Sequence, residues 1–174
     1  MVEESNLKYW RDAGHVARRT LEAMKDELQP GKTFHEIIES AERFIHRHGG
    51  KPAFPGTIAV NDLAAHFTTN HQIEGVEGWD GDMVLQKGDC VKIDFGVHIK
   101  GHIGDNALTL EIGNSNEHTE QIKAAKEARD AAIEMLHPGT PWYKVGQAAA
   151  QPSLDAGFPV SYTHLRAHET SNHR

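Results

Sequence analysis

Hydrophobic and polar residues alternate strictly along the segment VKIDFGVHI, which runs from Val91 to Ile99. A two-residue period of this kind is typical of a β-strand with one buried face. The pair Lys100-Gly101 follows, and a glycine can adopt the positive φ that a tight reversal requires. The segment from Val91 to Leu110 therefore predicts a β-hairpin that turns at Lys100-Gly101.

The length of the hairpin loop decides which residues share a face. A two-residue loop places Ile99 opposite His102 and pairs apolar residues with apolar residues along both strands. In that register Asp105 lies opposite Gly96, so Asp94 and Asp105 are diagonal neighbours on one face, with backbones about 7 to 8 Å apart. A three-residue loop would shift the pairing by one residue and place the two aspartates on opposite faces.

Two neighbouring carboxylates repel each other unless one takes up a proton or a cation lies between them. The pair Asp94 and Asp105 is therefore a candidate metal site. The ordinary alternative is a pair of exposed surface charges that Lys92, His98 or Lys100 neutralises. The hairpin pattern by itself leaves both interpretations open.

Helical periodicity precedes the hairpin. Apolar residues recur at three- and four-residue steps from about Asn6 to Leu28, which predicts an amphipathic helix. A second helix is expected to begin at Thr33, because Glu36 completes a capping box three positions later. A short strand is predicted near residues 58–60, and the polar segment 68–82 is expected to be a surface loop.

Two further helices are predicted after the hairpin. The first runs from about Glu117 to Leu136. Its predicted buried stripe is Ile122, Ala125, Ala128 or the stem of Arg129, Ala132, Ile133 and Leu136. For the second, Thr140 is expected to be the N-cap and Pro141 the first helical residue, whereas Pro152 is expected to interrupt the helix. This mixture of helices and strands predicts an α/β (α+β) fold.

Composition places the chain among globular proteins and excludes some partners. The chain has 174 residues, 38% of them hydrophobic, which is enough for one domain with a core. A formal charge of -7 disfavours nucleic acid and anionic membranes as partners. The single cysteine, Cys90, cannot form an internal disulfide, and no signal peptide or membrane span is recognisable in the sequence. A cytoplasmic location is expected.

Four motifs in this order resemble methionine aminopeptidases of type 2, the archaeal and eukaryotic branch of the M24 metallopeptidases. The motifs are GGKPAFP (49–55), AVNDLAAHFT (59–68), LQKGDCVKIDFGVHIKGHIGDNALTL (85–110) and EQIKAAKEARDAAIEML (120–136). The resemblance covers roughly residues 8–160, and the ordered combination is far more specific than any one motif.

The resemblance implies a fold and a site. The fold would be the pita-bread (creatinase/aminopeptidase) architecture, with residues 1–160 forming only the N-terminal half of the catalytic domain. Asp94 would be a metal ligand, Asp105 would bridge two divalent metal ions (Co, Mn, Fe or Zn), and His66 would be the catalytic, substrate-binding histidine. The implied activity is removal of the N-terminal methionine from peptides or nascent proteins, by a monomer.

The resemblance also implies a histidine and two glutamates that would complete the metal shell, and the chain matches no such segment after residue 160. The tail SYTHLRAHETSNHR, residues 161–174, has no apolar periodicity and resembles a translated library adaptor, so it is expected to be an artefactual, disordered segment. We therefore expect a C-terminally truncated enzyme with little activity. A non-catalytic pita-bread binding protein and an X-Pro dipeptidase or aminopeptidase P are the alternatives.

Overall fold

The computed structural model describes residues 4–63, 65–69, 82–113 and 115–159. Most of the predicted surface loop, residues 70–81, and the predicted tail, residues 161–174, lie outside this part of the chain. The chain divides into two compact units, Met1–Asn116 and Glu117–Arg174. Among the residues that the structure describes, no helix is long and apolar enough to cross a membrane.

The first unit packs two helices against a four-stranded antiparallel sheet. Its elements are α1 (Glu4–Glu27), α2 (Phe34–Arg47), β1 (Lys51–Pro52), β2 (Thr57–Val60), β3 (Cys90–Ile99) and β4 (His102–Glu111). Strand β3 is central: it pairs with β4 along its whole length, and with both short strands, β1 and β2. The predicted hairpin is therefore the frame of this unit.

The hairpin register agrees with the two-residue loop. Ile99 pairs with His102 and Gly96 pairs with Asp105, so Asp94 and Asp105 lie on the same face. Lys100 and the following Gly101 both adopt positive φ, 50° and 82°, as a type I′ turn requires. A three-residue loop is excluded.

The opposite face of the hairpin forms the core with both helices. The alternating β3 residues point into it, and all of them from Val91 to Val97 are at most 1% exposed. Helix α2 begins with the predicted capping box between Thr33 and Glu36, and it buries five apolar side chains. These five are Phe34, Ile37, Ile38, Ala41 and Ile45. One face of the sheet is thus buried in the core. The opposite face, which carries Asp94 and Asp105, is not covered by these two helices.

The second unit contains α3 (Thr119–Met135) and α4 (Trp142–Asp155), which pack on each other. The predicted buried stripe of α3 is wrong in part. Ala125 is exposed, Ile133 and Leu136 are 58% and 50% exposed, and the buried residue of the helix is Ala124. The other predicted apolar members are half-buried: Ile122, Ala128 and Ala132. Alanines occur on several sides of this helix, so the apolar period alone does not define which side meets α4.

Two expectations for α4 are also wrong. Pro141 rather than Thr140 is the N-cap, and its extended ψ of 136° delays the first helical residue to Trp142. Pro152 lies inside the helix, which continues to Asp155. The last turn is still closed by bonds from the Ala156 and Phe158 N–H groups, at 3.1 and 2.8 Å, so the missing proline donor does not end the helix.

Candidate metal and substrate site

The two aspartates of the hairpin and a histidine of the preceding loop meet on one side of the sheet. Asp94 of β3 and Asp105 of β4 are diagonal neighbours across Gly96, and both line one open pocket of about 400 Å³. His66 lines the same pocket. The three residues that the sequence singles out are therefore brought together.

The carboxyl group of Asp94 lies in an environment that disfavours its charge. Burial raises the pKa of Asp94 above its ordinary value of 3.8, and the nearby Asp105, through its charge and a side-chain hydrogen bond, raises it further. Lys92 and His66 act in the opposite direction, but they do not outweigh these causes. The pair is therefore not simply neutralised by Lys92.

The other basic residues proposed as neutralising partners have different surroundings. The ammonium of Lys100 donates to the Tyr9 hydroxyl at 2.9 Å and lies 4.6 Å from the centre of the Tyr9 ring. His98 follows the aspartate on the same face of β3, and its Nδ1 atom is buried without a hydrogen-bond partner among the described residues. The Lys100 ammonium thus contacts Tyr9 of α1 at the hairpin turn.

The Oδ1 atom of Asp94 provides a test of whether the site suits a cation. This oxygen is buried and has no hydrogen-bond partner in the described part of the chain. A buried carboxylate oxygen without a partner is costly, and a cation is one way to satisfy it. The convergent carboxylates and the unpaired oxygen fit a divalent cation, for which carboxylate oxygens are suitable ligands.

The described residues supply only part of a metal shell. Between residues 4 and 159, outside the gaps in the described ranges, no group of three or more His, Cys, Asp or Glu side chains could hold a metal ion. A divalent ion usually takes about four to six ligands. Asp94 and Asp105 would therefore need further donors from water or protein.

The backbone around His66 has an unusual conformation. His66 itself adopts a positive φ of 62°, which is uncommon for a residue other than glycine. Just after His66, two hydrogen bonds hold the loop to β2 and to the residue before it. The Ile58 N–H donates to the Phe67 carbonyl at 2.9 Å, and the Thr68 hydroxyl donates to the Gly56 carbonyl at 2.7 Å. This loop presents the imidazole to the pocket.

Four lining residues were not predicted as site residues from the sequence. They are Phe54, Pro55, Thr57 and Thr68. Thr57 pairs with Asp94 across β2 and β3, so an expected β2–β3 pairing could have revealed it. Phe54 packs over the site glycine, since a Cβ at Gly96 would lie 2.2 Å from its ring. The segment 51–57 thus contributes strand β1 and one pocket wall.

Because the pKa of Asp94 is raised, we expect Asp94→Asn to stabilise the protein more at high pH than at low pH in metal-free buffer. Because the folded-state pKa exceeds the unfolded value, this carboxyl contributes stability at low pH that is lost as pH rises through the folded pKa. The melting temperature of the variant relative to the parent should therefore increase from pH 4 to pH 7.5, by roughly 1 to 2 °C, since the half-exposed site is partly screened.

Asp130→Asn is the matched control for this measurement, because Asp130 is an exposed carboxylate that is paired with Arg129. Because this substitution removes a favourable, exposed ion pair, the melting temperature of Asp130→Asn should not exceed that of the parent. A difference between Asp94→Asn and the parent that is constant from pH 4 to pH 7.5 would contradict the assigned environment of Asp94.

Comparison with protein families defines the class. The model of metallopeptidase family M24 matches residues 8–171. The chain belongs to this family, and membership implies a divalent metal cofactor. The mixed architecture agrees with this assignment, because its structural neighbours are pita-bread M24 proteins.

Within the family, the chain is similar in sequence to methionine aminopeptidases. The chain is 36% identical over 147 residues to a methionine aminopeptidase of Thermococcus onnurineus, covering 84% of this chain and 46% of the relative. The crystal structure of methionine aminopeptidase from Rickettsia prowazekii matches with a TM-score of 0.76 and 25% identity, over 87% of this chain and 60% of that one. The chain spans about half the length of the archaeal relatives.

Proteins with other names share this fold at lower sequence identity. Prolidase from Pyrococcus furiosus matches with a TM-score of 0.74 and 24% identity, over 88% of this chain and 44% of that chain. Identity at this level supports the shared fold and says nothing of the substrate. The similarity to methionine aminopeptidases in particular therefore rests on sequence identity, which is 36% over 147 residues for the Thermococcus onnurineus relative.

Proposed function

We propose that this chain is the part of a methionine aminopeptidase that carries two metal-binding aspartates and the substrate histidine. The substrates would be peptides and nascent proteins with an N-terminal methionine, and the protein would act as a monomer in the cytoplasm. The observation that carries the proposal is the convergence of Asp94, Asp105 and His66 on one pocket. The 36% identity to a methionine aminopeptidase of Thermococcus onnurineus supports it.

Asp94 and Asp105 would hold two divalent cations, with Asp105 bridging them. The ions would be Co, Mn, Fe or Zn, since selectivity among these metals depends on the coordination geometry, the full ligand set and metal availability, and not on two carboxylates alone. When bound, such ions lower the pKa of water and polarise a carbonyl group. Because metal ligands must be deprotonated, a bound cation would oppose the environment that raises the pKa of Asp94.

His66 would orient the peptide at this site. A neutral imidazole can donate one hydrogen bond and accept another, so it can bind the scissile amide without adding charge. The wall formed by Phe54 and Pro55 would exclude water on the same side of the pocket. We propose that the described residues have little activity by themselves, because they provide too few ligands for two ions.

A chimera tests the proposed function while supplying the further ligands. The segment of the Thermococcus onnurineus relative that this chain matches is replaced with residues 8–160 of this chain, and Met-Ala-Ser and Ala-Pro peptides are offered with Mn²⁺. We expect methionine release from Met-Ala-Ser, and a loss of about 100-fold or more with Asp94→Asn, since it removes a ligand itself and outer partners alone contribute 10- to 100-fold.

The chimera distinguishes the alternatives. Cleavage of Ala-Pro in preference to Met-Ala-Ser would favour an X-Pro peptidase and overturn the proposal. A folded chimera, with a cooperative melting transition, that cleaves neither peptide would favour a non-catalytic binding protein. Methionine release by the 174-residue chain alone, lost with Asp94→Asn, would contradict only the expectation of low activity for that chain.

A further inference from the structure

A cluster of hydrogen bonds ties the loop that carries His66 to the start of the central strand. The loop leaves β2 at Asn61, whose Oδ1 accepts from the Cys90 N–H at 2.9 Å and whose Nδ2 donates to Asp89 Oδ1 at 3.0 Å. The Asn61 N–H also donates to the Cys90 carbonyl at 2.9 Å. The side chain of Asn61 thus bonds to two residues that lie 28 and 29 positions later in the chain.

Asp89 is itself fixed in place. Its second carboxylate oxygen, Oδ2, accepts from the Gln86 N–H at 2.7 Å, within the turn that precedes β3. The carboxylate therefore holds Asn61 with one oxygen and its own turn with the other. A carboxylate acceptor strengthens the bond from Asn61, although the pair is exposed to solvent.

The conformation of Asn61 explains why asparagine is suited to this position. Its φ is 52°, in the left-handed region that asparagine and aspartate tolerate better than most other residues. Five residues later His66 also has positive φ, 62°. The Ile58–Phe67 and Thr68–Gly56 bonds then hold the loop to β2 and to the residue before it. Asn61 and His66, the two residues with positive φ, thus lie between two sets of hydrogen bonds. One set joins Asn61 to the start of β3, and the other follows His66.

We propose that Asn61 is a positioning residue for His66. It acts through the loop and does not line the pocket. An uncommon backbone conformation at a functional residue persists only where the surroundings determine it, and the Asn61–Asp89 bond provides the constraint at the start of the loop. The inference rests on the proposed function, in which His66 binds the peptide.

A pair exchange tests this role without removing the left-handed residue. Asn61→Asp keeps an acceptor for the Cys90 N–H, but it loses the donor to Asp89 and places two carboxylates face to face. Adding Asp89→Asn restores the contact in reverse, since the new amide donates to the new carboxylate and its oxygen still accepts from Gln86. The double variant should therefore recover what the single variant loses.

The readout is the imidazole Cε1–Hε1 NMR cross-peak of His66 in the 174-residue chain at pH 7.5, identified by its absence in His66→Gln. We expect Asn61→Asp to displace this peak by more than its linewidth or to broaden it, and Asn61→Asp/Asp89→Asn to return it. The peaks of His48 and His102, whose Nδ1 atoms bond to backbone carbonyls elsewhere, should remain in place as evidence of an intact fold.

Asn116→Asp is the matched control, because Asn116 is another asparagine with positive φ, 62°, in the loop after β4. It should leave the His66 peak unchanged. A His66 peak that does not move in Asn61→Asp, or that is not restored in the double variant, would overturn the positioning role. Since this readout needs no activity, an inactive chimera would overturn the proposed function separately.

Discussion

Gly104→Ala is expected to lower the free energy of unfolding by about 3 kcal/mol, and the melting temperature by about 6 to 12 °C. Gly104 lies in β4 where α1 crosses the sheet, and a Cβ there would be 2.6 Å from the backbone nitrogen of Gly14 and 2.7 Å from the carbonyl carbon of Ala13. Backbone atoms of a packed helix cannot rotate away as a side chain can. The helix must move, and the core beneath it loosens.

Gly14→Ala is the matched control for this close approach. Gly14 is interior to α1, and a Cβ built on it meets nothing within 4 Å. Alanine is favoured over glycine inside a helix by about 0.8 to 1.0 kcal/mol, so Gly14→Ala should stabilise the protein. Urea denaturation of both variants measures the two effects. Equal, small changes would contradict the packing of α1 on β4.

The hairpin and its aspartate pair were predictable from the sequence because strong local signals agree. The two-residue period of β3 and the glycine in the turn both favour one register, in which Asp94 and Asp105 share a face. A shift by one residue would expose the whole apolar face, so the register is tightly specified. The capping box of Thr33 and Glu36 was predictable for a similar reason, since both partners are three residues apart.

Features that depend on tertiary contacts were not predictable in the same way. The buried side of α3 depends on α4, and the alanine pattern allowed several sides. The pocket wall at Phe54 and Thr57 depends on the pairing of β1 and β2 with β3, across a segment of about 30 residues. The role of Asn61 depends on a side chain 28 residues away. Local periodicity carries no information about such partners.

Either Asp94→Asn or Asp105→Asn is expected to weaken binding of Mn²⁺ by at least about tenfold, or 1.4 kcal/mol. Each substitution removes one of the two charges that attract the cation, and it leaves the other carboxylate with a neutral amide. The buried Oδ1 of Asp94, which has no hydrogen-bond partner within the described residues, is the atom that a cation would satisfy. With two carboxylates only, affinity should be modest even in the parent.

The loss should be specific to this pair. Asp130→Asn removes the same charge from an exposed ion pair with Arg129, and it should change Mn²⁺ affinity less than twofold, because exposed charges are largely screened. Replacing both aspartates should weaken Mn²⁺ binding by less than about tenfold beyond the weaker-binding single variant. The two losses should not add, because the two residues act as one site.

Titration of Mn²⁺ into the 174-residue chain, followed by the electron paramagnetic resonance signal of the free ion, tests the central claim most directly. If Asp94 and Asp105 form the metal site, the parent will bind Mn²⁺, and each single substitution will raise the dissociation constant at least about tenfold, while Asp130→Asn will not. Parent-like affinity in both Asp94→Asn and Asp105→Asn would contradict the claim.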